Sequence, residues 1–269
     1  MTATATEFDQ QWAAFRAERA AWARQPLGWL SLTGLHWLGE QDETIEGLPG
    51  RWRADGENVH VTVESGADEL RLAGETITGS TVLTPAEGAP GIEVRTGDRL
   101  IEVIRRNGLF ALRVHDPAAP TLAAFVEIPV YQPNPKWIVT GHFEPFEVAR
   151  VVTTGAVVAG LEHHHTATGT VTFELDGEQR RLIVFGNQAP GLHVLFADAT
   201  SGVTTFGGAR RLDLSRPAAD GAVVLDFNRA VNLPCAFTDN ATCPLAPAEN
   251  RLPLAVEAGE QDPRKEHTA

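Results

Sequence analysis

Four aromatic residues near the N-terminus recur at a helical spacing. They are Phe8, Trp12, Phe15 and Trp22. Residues spaced in this way lie on one face of an α-helix. The helix is expected to end at Gln25-Pro26, because the residue before a proline avoids the helical conformation. We therefore predict one amphipathic helix over residues 4–24, with its aromatic face packed on a sheet.

Short segments that alternate between apolar and polar residues follow along the rest of the chain. Alternation of this kind, bounded by glycine, asparagine, aspartate and proline, predicts β-strands. The segments are 59–63, 92–95, 109–114, 169–175, 180–185, 192–197, 222–227 and 252–256. Asp176-Gly177 separates two of them and predicts a hairpin. The apolar stretch GWLSLTGLHWLGE at 28–40 matches neither period, and we interpret it as a buried connector or a short strand.

The order of these segments indicates the fold class. No long helical segments separate the strands, which disfavours a parallel, doubly wound sheet. We predict a mainly β protein with antiparallel sandwich-like or barrel-like sheets and one N-terminal amphipathic helix.

Turn-forming residues in YQPNPKW, 131–137, suggest a domain boundary. The predicted parts are an N-terminal helix at 1–27, a first β-rich half at 28–130, a second at 131–260 that carries the candidate site, and a frayed tail at 261–269. A single continuous domain is the alternative.

Composition and charge narrow the function classes. The chain carries a net charge of −13, which opposes binding to nucleic acid or to an anionic membrane surface. No apolar run approaches the roughly 20 residues that cross a bilayer, and the first ten residues, MTATATEFDQ, show no secretory signal. We expect a cytoplasmic protein whose two cysteines are reduced.

Residues 228–252, NRAVNLPCAFTDNATCPLAPAENRL, contain both cysteines and fit neither a helical nor a strand period. An irregular stretch of this length inside a compact domain is uncommon, and is functional or disordered when it occurs. The stretch includes Leu233, Phe237 and Leu245. We therefore expect it to pack on the body of the protein, with its asparagines serving as partners for buried backbone groups.

Cys235 and Cys243 leave four interpretations open. The pair could be two small buried hydrophobic residues, ligands of a metal ion, a source of one nucleophile activated by a base, or a disulfide. Their C-x7-C spacing differs from the usual zinc-binding C-x2-C spacing. The histidines at 163–165 precede a turn-like segment, and we interpret them as a solvated loop, since adjacent strand residues face opposite sides.

FADATSGVTTFGGARRL at 196–212 is the second informative stretch. Its small residues let the backbone approach a ligand closely, and its paired arginines suit an anionic group. A hairpin loop with capped turns is the alternative interpretation. We expect three acidic residues at strand ends to meet Arg210 in one cluster that is open to solvent. They are Asp198, Asp226 and Glu249.

At these residues the chain resembles the DUF1684 family, a bacterial and archaeal domain of unknown function. The resemblance rests on GWLSLTGLHWLGE, LRVHDP at 112–117, DATSGVTTFGGARRL, and most strongly on residues 225–260. The positions that match the family pattern in the last stretch are Asp226, Asn228, Asn232, Cys235, Cys243, Glu249, Asn250 and Arg251. The chain departs from that pattern where the family favours tyrosine or proline, at Phe206, Arg211, Val231, Leu233 and Ala246. The resemblance implies a shared fold and polar patch, and no activity.

These observations support three functional hypotheses. The first is a polar small-molecule pocket, with hydrolase-like chemistry by Cys235 assisted by Asp226 or Glu249 if the protein is an enzyme. The ligand-binding residues would be Asp198, Thr200, Arg210, Arg211, Asn228, Asn232 and Asn250. The second is a metal site that uses Cys235 and Cys243. The third is a structural or interaction role without chemistry. The sequence identifies no cofactor, oligomeric state or named ligand.

Overall fold

The computed structural model describes residues 2–64, 69–187 and 191–265, and within them the side chains from residue 7 onward other than that of Asn187. The described chain forms two compact units, Ala21–Val126 and Met1–Ala20 with Glu127–Ala269. Helix α1 covers Thr2–Ala23, which confirms the predicted N-terminal helix. No described helix has the length and apolar character needed to span a membrane. The tail segment 266–269, predicted to be frayed, lies outside the described residues.

The unit Ala21–Val126 contains two antiparallel sheets and the short helix α2, Pro120–Ala123. Its strands are β1 Leu32–Trp37, β2 Arg51–Ala54, β3 Val59–Val63, β4 Arg71–Leu72, β5 Glu75–Thr76, β6 Gly79–Leu83, β7 Ile92–Thr96, β8 Arg99–Arg106 and β9 Leu109–His115. Six strands form one sheet in the order β1-β9-β8-β7-β4-β5, and β2-β3-β6 form the other. Apolar side chains of both sheets, including Trp52, Ile101 and Leu112, make one core.

Two sequence motifs meet in this unit. In the apolar stretch 28–40, a 3₁₀ turn at Trp29–Ser31 is followed directly by β1, which pairs with β9. The buried Ser31 Oγ lies 3.1 Å from His115 Nδ1, and the same nitrogen lies 3.1 Å from the Gly28 carbonyl oxygen. GWLSL and LRVHDP are therefore neighbours in the fold, joined by hydrogen bonds at the end of β9.

The second unit contains one antiparallel sheet of seven strands. They are β10 Ile138–Gly155, β11 Glu162–Leu175, β12 Glu178–Asn187, β13 Gly191–Phe196, β14 Arg210–Asp213, β15 Ala222–Asp226 and β16 Val231–Asn232. Their order is β15-β10-β11-β12-β13-β14-β16. The predicted hairpin turn joins β11 to β12, with positive φ angles of 53° at Asp176 and 73° at Gly177. The mainly β, antiparallel fold class is thereby confirmed, and none of the sheets in the described chain closes into a barrel.

The seven-stranded sheet buries apolar side chains on both faces. One face contributes Phe173, Val184 and Phe196 to a core centred on Phe227, whose ring packs edge-on against Phe196 at 5.6 Å. The other face contributes Ile183 and other residues to a second cluster. Side chains alternate between the two faces along a strand, so both faces carry apolar side chains that must be shielded from water. Residues after 228 shield part of each face. Leu252 and Val256 join the first cluster, whereas Leu233 and Ala246 join the second.

Two predictions about secondary structure were wrong. Residues 252–256 form no strand, although Leu252 and Val256 are buried. Pro253 has no N–H to donate to a ladder, and the Val256 N–H donates to the Asp198 side chain instead of to a strand. Residues 163–165 are part of β11 and not a loop, so the side chains of His163 and His165 share one face of the sheet and His164 points to the other.

His193 of β13 is half-buried beside the Phe185 ring. Burial and the adjacent Arg211 lower the pKa of His193 to about 4, against an opposing effect of Asp213. An unfolded histidine binds its proton near a pKa of about 6.5. Between these two values the unfolded chain holds more protons than the folded chain, so stability decreases as the pH falls.

We predict that the free energy of unfolding falls as the pH drops from about 6.5 to about 4. His193→Gln should reduce this loss, because glutamine binds no proton in either the folded or the unfolded chain. Urea denaturation at a series of pH values measures the slope. His164→Gln is the control, since that side chain is exposed. If the free energy of unfolding of His193→Gln depends on pH as steeply as that of the wild type, the burial of His193 does not cause the pH dependence.

Candidate functional site

Arg210 and Asp198 form an ion pair in the interior. The Arg210 side chain is 1% exposed and that of Asp198 is 0% exposed, and Arg210 Nη2 donates to Asp198 Oδ2 at 2.9 Å. The guanidinium also donates to the carbonyl oxygens of Val256, at 3.1 Å, and Ala258, at 2.5 Å. It lies over the Phe196 ring, 5.0 Å from the ring centroid. Arg210 therefore ties β14 to the segment that follows residue 252.

Asp198 is the centre of the same network. Its Oδ1 accepts from the N–H of Thr200 at 3.1 Å and from the Thr200 hydroxyl at 2.6 Å, and its Oδ2 accepts from the Val256 N–H at 2.8 Å. The Thr200 hydroxyl lies 2.9 Å from that of Thr205. The carboxylate thus organises the turn after β13 and anchors the segment around residue 256. Of the expected acidic cluster, only Asp198 contacts Arg210.

A second buried network surrounds Glu260, which the sequence analysis did not single out. Its side chain accepts from Arg19 Nε at 2.6 Å, from Arg19 Nη2 at 3.1 Å and from the Asn232 N–H at 2.7 Å. Asn232 Nδ2 donates to the Gln261 carbonyl oxygen at 2.8 Å. Residues 261–265, expected to belong to a frayed tail, include further hydrogen-bonded positions such as the Asp262 N–H.

Asn250 of the irregular stretch forms hydrogen bonds with backbone groups that lack a partner in the neighbouring strand. The β12–β13 ladder ends at the pair Phe185–His193. Beyond it, the fully buried Asn250 accepts from the Ile183 N–H at 2.6 Å and donates to the carbonyl oxygens of Ile183 and Leu195, both at 2.9 Å. Its amide therefore bridges the two strands where they separate.

Asn228 makes the same kind of contact with another segment. Its Oδ1 accepts from the Asn134 N–H at 2.9 Å, and its Nδ2 donates to the Asn134 carbonyl oxygen at 3.1 Å. Nδ2 also donates to Asp226 Oδ1 at 2.9 Å. The predicted role of the asparagines as partners for the backbone is confirmed at these positions, and their role toward a ligand stays a prediction.

The two cysteines face each other through reciprocal contacts. The Cys235 N–H donates to Cys243 Sγ at 3.2 Å, and the Cys243 N–H donates to Cys235 Sγ at 3.1 Å. Both residues are buried, and no disulfide joins them. Across the described part of the chain, no group of three or more histidine, cysteine, aspartate and glutamate side chains is arranged to hold a metal ion. The nucleophile and metal roles of the pair stay predictions.

The remaining acidic candidates line two different cavities. Glu249 borders a cavity of about 350 Å³ on the seven-stranded sheet. Asp226 borders a groove of about 650 Å³ that is also lined by Phe15 of α1, and it pairs there with Arg229 at 3.1 Å. Arg211 lies at the surface beside Asp213. The structure therefore distributes the predicted residues over buried networks and separate cavities.

The sequence analysis missed Arg150 and Arg181, which border the cavity with Glu249. They lie on strands separated by β11, and a bulge in β10 displaces the first of them. Only the register of the three strands brings the two arginines together. Neither the spacing of Arg150 and Arg181 along the chain nor the alternation of apolar and polar residues predicts that they line one cavity.

We predict that Arg210→Met lowers the free energy of unfolding by about 3–5 kcal/mol, because it leaves the buried Asp198 charge without its partner. Urea denaturation measures the loss. The double variant Asp198→Asn/Arg210→Met should recover part of it, since no uncompensated charge then remains and the amide oxygen at residue 198 can still accept a hydrogen bond from the segment around Val256. Arg211→Met is the matched control, because its guanidinium is on the surface. Equal losses in Arg210→Met and Arg211→Met would contradict the assignment of Arg210 as a structural residue.

Comparisons with known proteins show the family to which the chain belongs. The chain is similar to an uncharacterised protein of Haloarcula marismortui whose solution NMR structure is known. The two are 30% identical, over 54% of this chain and 80% of that one, with a TM-score of 0.45. No curated protein matches this chain. The model of the family described as "Protein of unknown function (DUF1684)" matches residues 123–261, a range that includes the Asp198–Arg210 pair, Glu260, the cysteine pair and Glu249 but not Arg19. The chain therefore belongs to the DUF1684 family.

Proposed function

We propose that this protein binds a small organic anion in the cavity bordered by Glu249. The cavity is lined by Phe146, Arg150, Thr170, Arg181, Leu182, Ile183 and Glu249. Its volume of about 350 Å³ is near the lower end of the range found for small-molecule sites. The single observation that carries the proposal is the presence of two arginines in one cavity of a chain with a net charge of −13.

The cavity follows from the irregular path of β10. The register between β10 and β11 shifts between Pro145 and Arg150, so the residues between them leave the ladder. A bulge bends a strand and redirects side chains locally. Phe146 is one of these unpaired residues, Arg150 begins the next paired segment of β10, and both line the cavity. Thr170 of β11 and Arg181 of β12 line it from paired positions.

The charges favour an anionic ligand. Guanidinium groups bind carboxylate and phosphate through forked hydrogen bonds. The Arg150 guanidinium lies over the Phe146 ring, 4.8 Å from its centroid, and this stacking restricts its position. Thr170 is buried and adds a hydroxyl group to the wall. These groups suit a carboxylate or phosphate at one end of the ligand.

Glu249 supports a second polar group on the ligand. Its neighbour Asn250 is fixed by three hydrogen bonds to β12 and β13, which holds the backbone at Glu249 in place. A positioned carboxylate accepts hydrogen bonds from a hydroxyl or amino group. A hydroxy acid or an amino acid therefore matches the cavity better than a simple anion.

The reaction type, the cellular location and the partners of the protein are also proposals. Hydrolase-like chemistry by Cys235 with Asp226 or Glu249 requires access to a sulfur on a residue that is 2% exposed, and the binding proposal does not depend on it. We propose a cytoplasmic location on the basis of the N-terminal sequence, and the net charge of −13 supports the lack of a nucleic-acid partner.

We predict that malate binds to the protein, measured by isothermal titration calorimetry, and that Arg150→Gln and Arg181→Gln each weaken this binding about tenfold or more. The reason is the loss of a charge-assisted hydrogen bond, which is worth about 1.5–3 kcal/mol. Inorganic phosphate, which has no hydroxyl or amino group apart from its anionic centre, should bind more weakly. Glu249→Gln should reduce the preference for malate over phosphate.

Arg180→Gln is the matched control, because Arg180 adjoins Arg181 on β12 but points to the other face. Thermal melting of each variant checks that the fold is retained. Failure of both malate and phosphate to bind the wild-type protein at millimolar concentration would reject an anion site. Identical affinities in Arg181→Gln and Arg180→Gln would reject this cavity as its location.

A further inference from the structure

We propose that the ligand of the cavity bordered by Glu249 is a sugar acid, which is a carboxylic acid whose carbon chain carries several hydroxyl groups. This inference rests on the proposed function and names the ligand class for the same site. It is based on a polar groove that adjoins the cavity on one face of the seven-stranded sheet. The groove has a volume of about 300 Å³, and the polar residues that line it are Thr140, His142, Thr172, Glu174 and Gln179.

The strand register places the cavity and the groove side by side. Thr170 borders the cavity and Thr172 borders the groove, and alternate residues of a strand share a face. Thr172 pairs directly with Arg181 of β12, which borders the cavity, and on its other side with His142 of β10. His142, Thr172 and Arg181 therefore form one row across three strands. The arginine end of this row belongs to the proposed anion site.

A second polar row lies next to the first. Glu174 of β11 pairs with Gln179 of β12, two residues from Thr172 and Arg181 on their respective strands. Two residues of a strand span about 6.4–6.8 Å. Because a carbon–carbon bond is about 1.5 Å long, an extended chain of five or six carbons covers a similar distance. A ligand whose carboxylate binds Arg181 can therefore reach the second row with the far end of such a chain.

The apolar cover of this sheet face ends at the boundary between the cavity and the groove. Ile183, two residues from Arg181 on β12, is 3% exposed and belongs to the buried cluster that includes Ala246. Arg181, in contrast, is exposed, and Thr172 is half-buried. Apolar packing thus closes one side of the cavity, and a ligand longer than the cavity extends over the polar rows.

The groove side chains have hydrogen-bonding groups that are available to a ligand. Toward other residues that the structure describes, the side chains of Thr172, Glu174 and Gln179 form no hydrogen bond. A threonine hydroxyl and a glutamine amide both donate and accept, and an ionised glutamate accepts. A ligand hydroxyl also donates and accepts, so it can pair with each of these groups. An alkyl chain would exclude water from them without replacing its hydrogen bonds, which is unfavourable.

Gluconate is the probe for this inference, and lactate is its short counterpart. Lactate has the same carboxylate and neighbouring hydroxyl group but lacks the rest of the chain. We expect isothermal titration calorimetry to show gluconate binding at least about tenfold more tightly than lactate, because further neutral hydrogen bonds form in the groove. Hexanoate has as many carbons as gluconate but no hydroxyl groups, and it should bind no more tightly than lactate.

Two variants locate the additional hydrogen bonds. Thr172→Val and Gln179→Leu remove hydrogen-bonding groups with little change in side-chain size. Each should weaken gluconate binding about threefold to tenfold, the effect of losing one neutral hydrogen bond, and leave lactate binding unchanged. Thr166→Val is the matched control, since Thr166 is an exposed residue of β11 that lines neither the cavity nor the groove. Thermal melting of each variant shows whether the fold is retained.

The outcomes separate this inference from the proposed function. If malate binds but gluconate binds no more tightly than lactate or hexanoate, the sugar-acid proposal is wrong and the anion site stands. If malate, lactate and gluconate all fail to bind at millimolar concentration, both proposals are wrong. Gluconate affinities in Thr172→Val and Gln179→Leu that equal the affinity in Thr166→Val would also reject the groove. If one of the two groove variants does not fold, the other gives the decision.

Discussion

Buried backbone groups outside helices and strands need hydrogen-bond partners, and this requirement determines how the second unit is built. A buried N–H or carbonyl without a partner costs about 1–3 kcal/mol. Residues 228–262 cover both faces of a seven-stranded sheet, yet they contain only short 3₁₀ turns and the two-residue strand β16. Backbone groups of other segments supply some partners, as where the Leu252 N–H donates to the Ala197 carbonyl oxygen. Polar side chains supply others: Asn250 for β12 and β13, Glu260 for Asn232, and Asp198 with Arg210 for residues 256–258.

The need for hydrogen-bond partners explains part of the DUF1684 sequence pattern. Asn228, Asn232 and Asn250 match the family pattern, and each hydrogen-bonds to backbone groups of another segment. Their interior contacts account for a long irregular stretch that is packed and not disordered. The fold thus explains why asparagine occupies these three positions of the pattern. The proposed ligand chemistry involves one position of that pattern, Glu249, together with two arginines from strands outside residues 225–260.

Local patterns predicted much of the fold. The helix, most of the strands and the Asp176-Gly177 hairpin follow from periodicity and turn chemistry, which act over a few residues. Alternation failed at 252–256 because the burial of Leu252 and Val256 is achieved by irregular backbone held by Asp198, a partner far away in sequence. It also gave no strand at His163–His165, because polar side chains on a half-buried face hide the period of β11.

The candidate site was harder to predict, since strand register and a bulge set its geometry. Asp198 and Arg210 meet, but as an interior pair, and Asp226 and Glu249 line separate cavities.

Amide hydrogen exchange under native conditions tests the central claim most directly. The N–H groups of Ile183, Asn232 and Val256 donate to the side chains of Asn250, Glu260 and Asp198 respectively. If these side chains act as substitutes for a strand, the three amides should be protected as strongly as amides in the β11–β12 ladder, such as Val171. Exchange of the three at the rate of exposed turn residues, with the ladder protected, would contradict the account.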